Sequence, residues 1–494
     1  MIDTTTPTGA RRGPRDGMTT SRDAMTTRQR WILTIASLAS VMVAIDGTVV
    51  TTALSTIHRD LRASLTSLEW TVNAYVLTFA VLLLTGSALG ERFGRRRMFV
   101  TGLAIFTLSS AACAMSTNVA ALITARTVQG AGAAMILPLA MTQLTAAFPV
   151  ERRGRALGIF GGLTGVAVCA GPFVGGAVAQ GLAWQWIFWI NVPIGAAAIC
   201  LALWQIAEGR GRDARLDLVG VALVTAGCFG LVWALVRGND AGWHSPETVG
   251  TGVGGTVLLA GFVAWEQRVE APMLPIRFFR VRAFAAANVA NVGLYASLYG
   301  TLFVLSQYLQ DGLGNGPVAA GPRLMPWTGT LMICGPVAGR LVDRFGERRI
   351  MIIGLSANTI GMGWIAVIVS PHLPYAAMVV PLVVSGCGLS MTMPALQKAV
   401  IGAVAPAEIG KASGALNALR MLGGAFGIAI VSAAFAGAGS FASPDAVATG
   451  CALAMVVASC VSLIGTLGAV AMPHHPAAVG RHPDAAAEFV GAPQ

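Results

Sequence analysis

Charge is scarce in this chain of 494 residues: only 11% are Asp, Glu, Lys or Arg, against roughly 25% in soluble domains. Lysine is scarcer still, with Lys398 and Lys411 standing alone. A phosphate-binding loop of the form G-x4-G-K-S/T needs a lysine behind spaced glycines. Lys398 has no glycine before it, and Lys411 has Ala405 at the first glycine position and Ala412 after it. ATP hydrolysis by that route is excluded, so an ion gradient is the expected energy source and no enzyme activity is expected. The glycine-rich GTGVGGT at residues 250–256 follows no strand, which removes a dinucleotide cofactor. Eight cysteines (Cys113, Cys169, Cys200, Cys228, Cys334, Cys387, Cys451 and Cys460) show neither metal-ligand spacing nor a disulfide framework. They are read as small buried apolar residues, and no metal or other cofactor is expected. No polar stretch is long enough for an added soluble domain, which argues against a membrane sensor.

What the chain has in abundance is apolar surface: 55% of residues are hydrophobic and the mean hydropathy is +0.69. About 20 apolar residues cross a bilayer as a helix, whose backbone groups all bond internally. Fourteen such runs are predicted, from Trp31–Thr51 through to Ala448–Met472, with single runs expected at Leu324–Val342 and Ala285–Leu309. The chain therefore reads as an all-α polytopic membrane protein. A net charge of +11 could suggest nucleic acid, but the arginines concentrate on one side of the spans. Only Arg59, Arg62, Arg237 and Arg323 fall on the other side, while Arg126 and Arg420 lie within spans. The positive-inside rule then predicts a multi-pass plasma-membrane protein with both termini cytoplasmic and no nucleic-acid partner.

An internal repeat sets the plan. SALGERFGRRR at residues 87–97 returns as GRLVDRFGERR at residues 339–349, eight spans later. Two equivalent six-span halves would put the copies six apart, so two extra helices are predicted between the halves, giving 6+2+6. The predicted divisions are a disordered cytoplasmic tail at 1–30 and a six-helix half at 31–206. Two extra helices with a linker follow at 207–283, then a second half at 284–472 and a cytoplasmic tail at 473–494.

One carboxylate stands deep in an apolar run, Asp46 in AIDGTVVTTAL, and one arginine, Arg126, stands deep in LITARTVQGAGAA. Ionisable groups at such depth mark ion pathways by default, and each is the partner nearest in kind for the other. The structural alternative is an acid wetted at a helix end and an arginine bonded to carbonyls. Trp184, Trp186 and Trp189 open a span and are read as an interfacial belt.

The repeated loop resembles the signature loop of the major facilitator superfamily, G-x-L-a-D-R-x-G-R-R-x. Gly339, Leu341, Asp343, Arg344, Gly346, Arg348 and Arg349 match it, while the first copy carries Ser87 at the leading glycine and Glu91 for the aspartate. The resemblance implies conformational latches formed by Glu91, Arg92, Gly94, Arg95, Asp343, Arg344, Gly346 and Arg348. Arg126, Gln129 and Gly130 are similar to R-x-x-Q-G of that family's fourth helix. Gly158, Gly171, Pro172, Gly175 and Gly176 resemble its antiporter motif, with Ala167 at one glycine position. Asp46, Thr48, Ala53 and Leu54 resemble the first-span motif of drug:proton antiporters, although Thr51 and Ser55 replace Asn and Pro. WIFWINVPIG, with Asn191 and Pro193, and ASGALNALRMLGGAFG, with Asn417 and Arg420, complete the match to the fourteen-span branch.

These matches imply a proton-driven efflux transporter, expected to be a monomer, that exchanges protons for amphipathic drugs or antibiotics. Asp46 and Arg126 take the proton-coupling role. Trp70, Tyr75, Gln129, Gln307, Asn417 and Arg420 are candidate lining residues of the substrate cavity, with interface residues as the plainer reading for several. Export of an endogenous metabolite stays open, and a proton-coupled importer is a further alternative.

Overall fold

The computed structural model describes residues 25–209, 217–270, 272–405 and 408–473. The predicted tails lie outside the described residues, except that the first helix begins within the stretch expected to be its N-terminal tail. Thr26 and Gln29 form a capping box there: Thr26 Oγ1 accepts from the Gln29 N–H and Gln29 Oε1 from the Thr26 N–H. Gln29 Nε2 also donates to the Ala147 carbonyl at 3.0 Å, so this end is anchored rather than frayed.

Among the described residues all regular structure is helical. The first set is α1 (Thr27–Leu61), α2 (Leu65–Phe93), α3 (Arg95–Ala114), α4 (Val119–Ala147), α5 (Val150–Gly181), α6 (Trp186–Trp189) and α7 (Asn191–Gln205). Two intervening helices are α8 (Leu218–Ala241) and α9 (Pro246–Glu266). The second set is α10 (Arg282–Gln307), α11 (Pro317–Thr328), α12 (Thr330–Phe345), α13 (Glu347–Ile368), α14 (Tyr375–Gly402), α15 (Ile409–Ala438) and α16 (Pro444–Ala471). Twelve of the described helical stretches are long and apolar enough to cross a membrane, α6 and α7 counting as one. The chain is a multi-pass membrane protein. Between α9 and α10, among the described residues, a short 3-10 turn forms at Ile276–Arg280.

Four sequence expectations change. The single run predicted at Leu324–Val342 is two helices, α11 and α12, broken at Gly329. Pro322 and Pro326 lie inside α11, and a proline ring removes a helical N–H and crowds the preceding turn. The run predicted at Ala285–Leu309 continues past α10 as a π turn, Tyr308–Gly312. The cysteines are not uniformly buried: Cys113, Cys228 and Cys451 are, but Cys200 and Cys460 face outward. Hydropathy does not say which face of a helix meets lipid. Trp184 is likewise fully buried, its ring edge-on to Phe188, although Trp186 is exposed as a belt residue would be.

The two sets meet along a seam where α1 touches α10, α2 touches α15 and α5 touches α11. Where α1 and α10 finish, the seam is closed by hydrogen bonds. Ser306 Oγ donates to the Thr51 carbonyl at 3.0 Å, and Ser55 Oγ to Gln310 Oε1 at 2.5 Å. A small polar cleft lined by Ser55, Arg59, Gln310 and Asp311 opens beside them. Helix α8 lies across the seam and packs on both α2 and α15. Its Phe229 and Trp233 stack on Trp70, at 5.4 and 5.6 Å between ring centroids. Asn239 Nδ2 donates to the Ala433 carbonyl of α15.

Candidate functional site

Asp46 lies midway along α1 and is wholly buried, as is Arg126 on α4. Arg126 Nη1 donates to Asp46 Oδ2 at 2.6 Å. Gln129, one turn along α4, accepts from the same Nη1 at 2.8 Å and donates through Nε2 to Asp46 Oδ1 at 2.9 Å. The i, i+3 spacing puts both side chains on one face of the helix. Asn191, at the start of α7, gives Asp46 a third bond, to Oδ1 at 3.0 Å, and also donates to Ser110 Oγ of α3. Ser110 in turn donates to the Phe188 carbonyl at 2.9 Å. Helix α2 contributes the Thr71 carbonyl, which accepts from Arg126 Nε at 3.2 Å, and the ring of Tyr75, 4.1 Å below the guanidinium carbon. The Tyr75 hydroxyl donates to the Val43 carbonyl. Five helices thus enclose one ion pair. The charges are matched, desolvated and held by neutral donors, as burial at this depth demands.

The row of small residues on α5 sets this cluster's position. Thr48 of α1 fills the place a side chain at Gly171 would need, and Val49 and Thr52 do the same at Gly175. Gly176 is buried, and Gly158 and Pro172 lie on the same helix. Helix α1 can seat so closely because nothing projects from α5 there.

The remaining predicted cavity residues divide. Gln129 belongs to the ion-pair cluster and Trp70 to the α8 contact. Gln307 is buried with Nε2 donating to Phe303, and Asn417 donates to the Ser413 carbonyl of its own helix. Arg420 of α15 lies over the ring of Tyr295 on α10, at 5.0 Å. A neutral hub unmarked by the sequence reading occupies the second set. Asn358 Oδ1 accepts from Ser385 Oγ at 2.6 Å, and its Nδ2 donates to Ser462 Oγ at 2.9 Å and Ser297 Oγ at 3.3 Å. Trp327 Nε1 donates to Ser385 Oγ. The helices involved are α10, α11, α13, α14 and α16. One set closes on an ion pair and the other on an amide.

A family model described as Major Facilitator Superfamily matches residues 36–428. The chain belongs to the Major Facilitator Superfamily. As a member of a family of transporters, it is not an enzyme. It is 34% identical over 400 residues to the methylenomycin A resistance protein of Bacillus subtilis, covering 81% of this chain and 86% of that protein. It is 34% identical over 436 residues to the cephamycin export protein CmcT of Amycolatopsis lactamdurans, covering 87% and 90%. Among solved structures it is similar in fold to a peptide transporter, POT, in complex with sulfate, with a TM-score of 0.64 and 15% identity over 89% of this chain and 95% of the other.

The paired loops of this superfamily member share backbone shape but not side-chain pairing. Gly94 and Gly346 both turn at positive φ, 108° and 83°, a conformation that a side chain disfavours. In the first loop Glu91 forms a two-pronged ion pair with Arg95, both contacts at 2.8 Å. In the second, Asp343 pairs with Lys398 of α14 at 2.8 Å, and Arg348 donates to the Val470 carbonyl. Arg92 and Arg344 occupy equivalent places, each with its guanidinium over the next phenylalanine ring at 5.3 Å. The sequence reading missed Glu208, just beyond α7. Its carboxylate accepts from the backbone N–H groups of Arg96 and Arg97, capping the start of α3, where the helix dipole favours a negative charge. An acid beside a run of arginines was its only trace in the sequence.

Proposed function

We propose that the chain is a proton-driven exporter of amphipathic drugs or antibiotics that works by alternating access. It crosses the plasma membrane fourteen times as a monomer, with both termini cytoplasmic. Helix α5 and the broken pair α11–α12 supply the two crossings beyond the twelve long apolar stretches, in two six-helix halves separated by α8 and α9. Relatives whose names record antibiotic resistance or export support the direction of transport.

The observation that carries the reading is the enclosed Asp46–Arg126 pair. A proton arriving at Asp46 displaces the Arg126 bond, yet Arg126 keeps the Gln129 amide oxygen and the Thr71 carbonyl. The cation is therefore never stranded, and the protonated and ionised forms differ by a rearrangement of α1 against α4. Because α1 also forms the seam with α10, that rearrangement reaches the other half. The glycine row of α5 gives α1 the close bed on which to move. Glu91, Arg95, Asp343 and Lys398 act at the latch loops, holding each turn within its own half while the seam is closed at the Ser55 end.

In everted membrane vesicles, drug uptake driven by a pH gradient is expected with the wild type and is expected to vanish with Asp46→Asn. A gradient as steep with the variant as with the wild type removes Asp46 from the coupling.

A further inference from the structure

Arg420 stands eleven residues beyond the start of α15, about 16 Å along the helix at 1.5 Å per residue. That depth is well inside a bilayer. Unlike Arg126, it has no acidic partner among the described residues. No ion pair reaches it among the described residues, and its Nε is buried without an acceptor. What surrounds it is phenolic. Tyr295 lies beneath the guanidinium, its ring centroid 5.0 Å from the guanidinium carbon. Tyr299, one turn along α10, rests against Gly424 of α15, where an added Cβ would come within 2.9 Å of the ring. Tyr299 is half-buried, and its ring centroid lies 6.4 Å from that of Tyr295.

The charges of the two clusters differ. Asp46 is consumed by Arg126, so that cluster is neutral, while the Arg420 cluster keeps one positive charge at the seam. An uncompensated cation at this depth is costly, and an arriving anion removes the cost. The guanidinium fork fits a carboxylate through two parallel hydrogen bonds, and the tyrosine faces fit an aromatic or alicyclic body.

We infer that Arg420, Tyr295 and Tyr299 form the substrate site, and that it takes singly charged anionic amphipaths, carboxylates or ionised enols and phenols, in preference to cationic ones. The inference rests on the exporter reading only for the direction of movement, since binding is measured without any gradient.

The test uses the purified full chain and measures thermal stabilisation and tyrosine or tryptophan fluorescence with three probes: fusidate, fusidate methyl ester and ethidium. The wild type is expected to bind fusidate at least tenfold more tightly than the ester or ethidium, a comparison that needs no variant. Arg420→Gln is expected to erase that preference, and Arg420→Lys to keep part of it, each checked for an unchanged elution profile. Equal binding of acid and ester, preference for ethidium, no binding of fusidate, or an undiminished preference in Arg420→Gln overturns the assignment. Proton-driven uptake of fusidate into everted vesicles is scored separately. If binding follows the expected pattern and uptake is absent, the exporter reading fails and the anion site stands.

Discussion

Three side chains on two helices converge on the Asp46 carboxylate, and the energetic weight of the cluster lies in what happens when one leaves. Removing one partner of a buried ion pair costs about 3–5 kcal/mol, because the other charge is left in a medium that cannot solvate it. Arg126→Gln alone is expected to lower the thermal stability of the protein by that order. Combining it with Asp46→Asn is expected to restore most of the loss while leaving transport absent, since four neutral amides can still hydrogen-bond. A double variant no more stable than the single one would mean that the pair is not a closed electrostatic unit. Much of this cluster was legible in the sequence, because one acid and one cation deep in apolar runs have few other partners. Ser110 was not, and Asn191 was marked only by resemblance, since neutral polar residues are common in such runs and their partners lie on helices remote in sequence. Tyr75 was legible only as a polar aromatic near a span end; its place beneath Arg126 is set by how α2 crosses α4. Nor can a sequence reveal that Arg420 has no acidic partner among the described residues, which depends on what folds around it.

At the scale of helices, the α1–α5 contact decides whether the cluster can form. A valine at Gly175 would press on the backbone of Val49, which cannot step aside as a flexible side chain can. Gly175→Val is expected to abolish folded protein or transport, measured as membrane yield and vesicle uptake. Gly162→Ala, on the same helix with nothing near its added methyl group, is expected to leave both unchanged. Equal tolerance at the two positions would show that α5 is not the bed of α1. The spacing of these glycines was readable in the sequence, as were the helices themselves and the two repeated turns. The break at Gly329 and the extension of α1 back to Thr27 were not. Prolines are tolerated inside membrane helices often enough that Pro322 and Pro326 alone do not mark a stop. The capping box at Thr26 is polar and lies outside any hydropathy window.

For the molecule as a whole, α8 is the element whose arrangement matters most to motion. It grips α2 through stacked rings and α15 through the amide of Asn239, on opposite sides of the seam. If the sets rock apart at that end, stacked rings can slide and stay in contact, whereas the Asn239–Ala433 hydrogen bond is either made or broken. Helix α8 is then a thermodynamic counterweight: it sets how much of the population rests closed before any proton or substrate arrives. A hydrogen bond of net worth about 1 kcal/mol changes such a ratio about fivefold. Asn239→Ala is accordingly expected to raise, by about that factor, the rate at which an impermeant maleimide labels Asn315→Cys, at a half-buried position of the polar cleft, with Cys200 and Cys460 replaced. An unchanged rate would mean that α8 travels with one half alone. On this view α8 tunes the resting state of a machine whose working parts lie elsewhere, and changes in it can alter the apparent affinity for every substrate without touching the place where any of them binds.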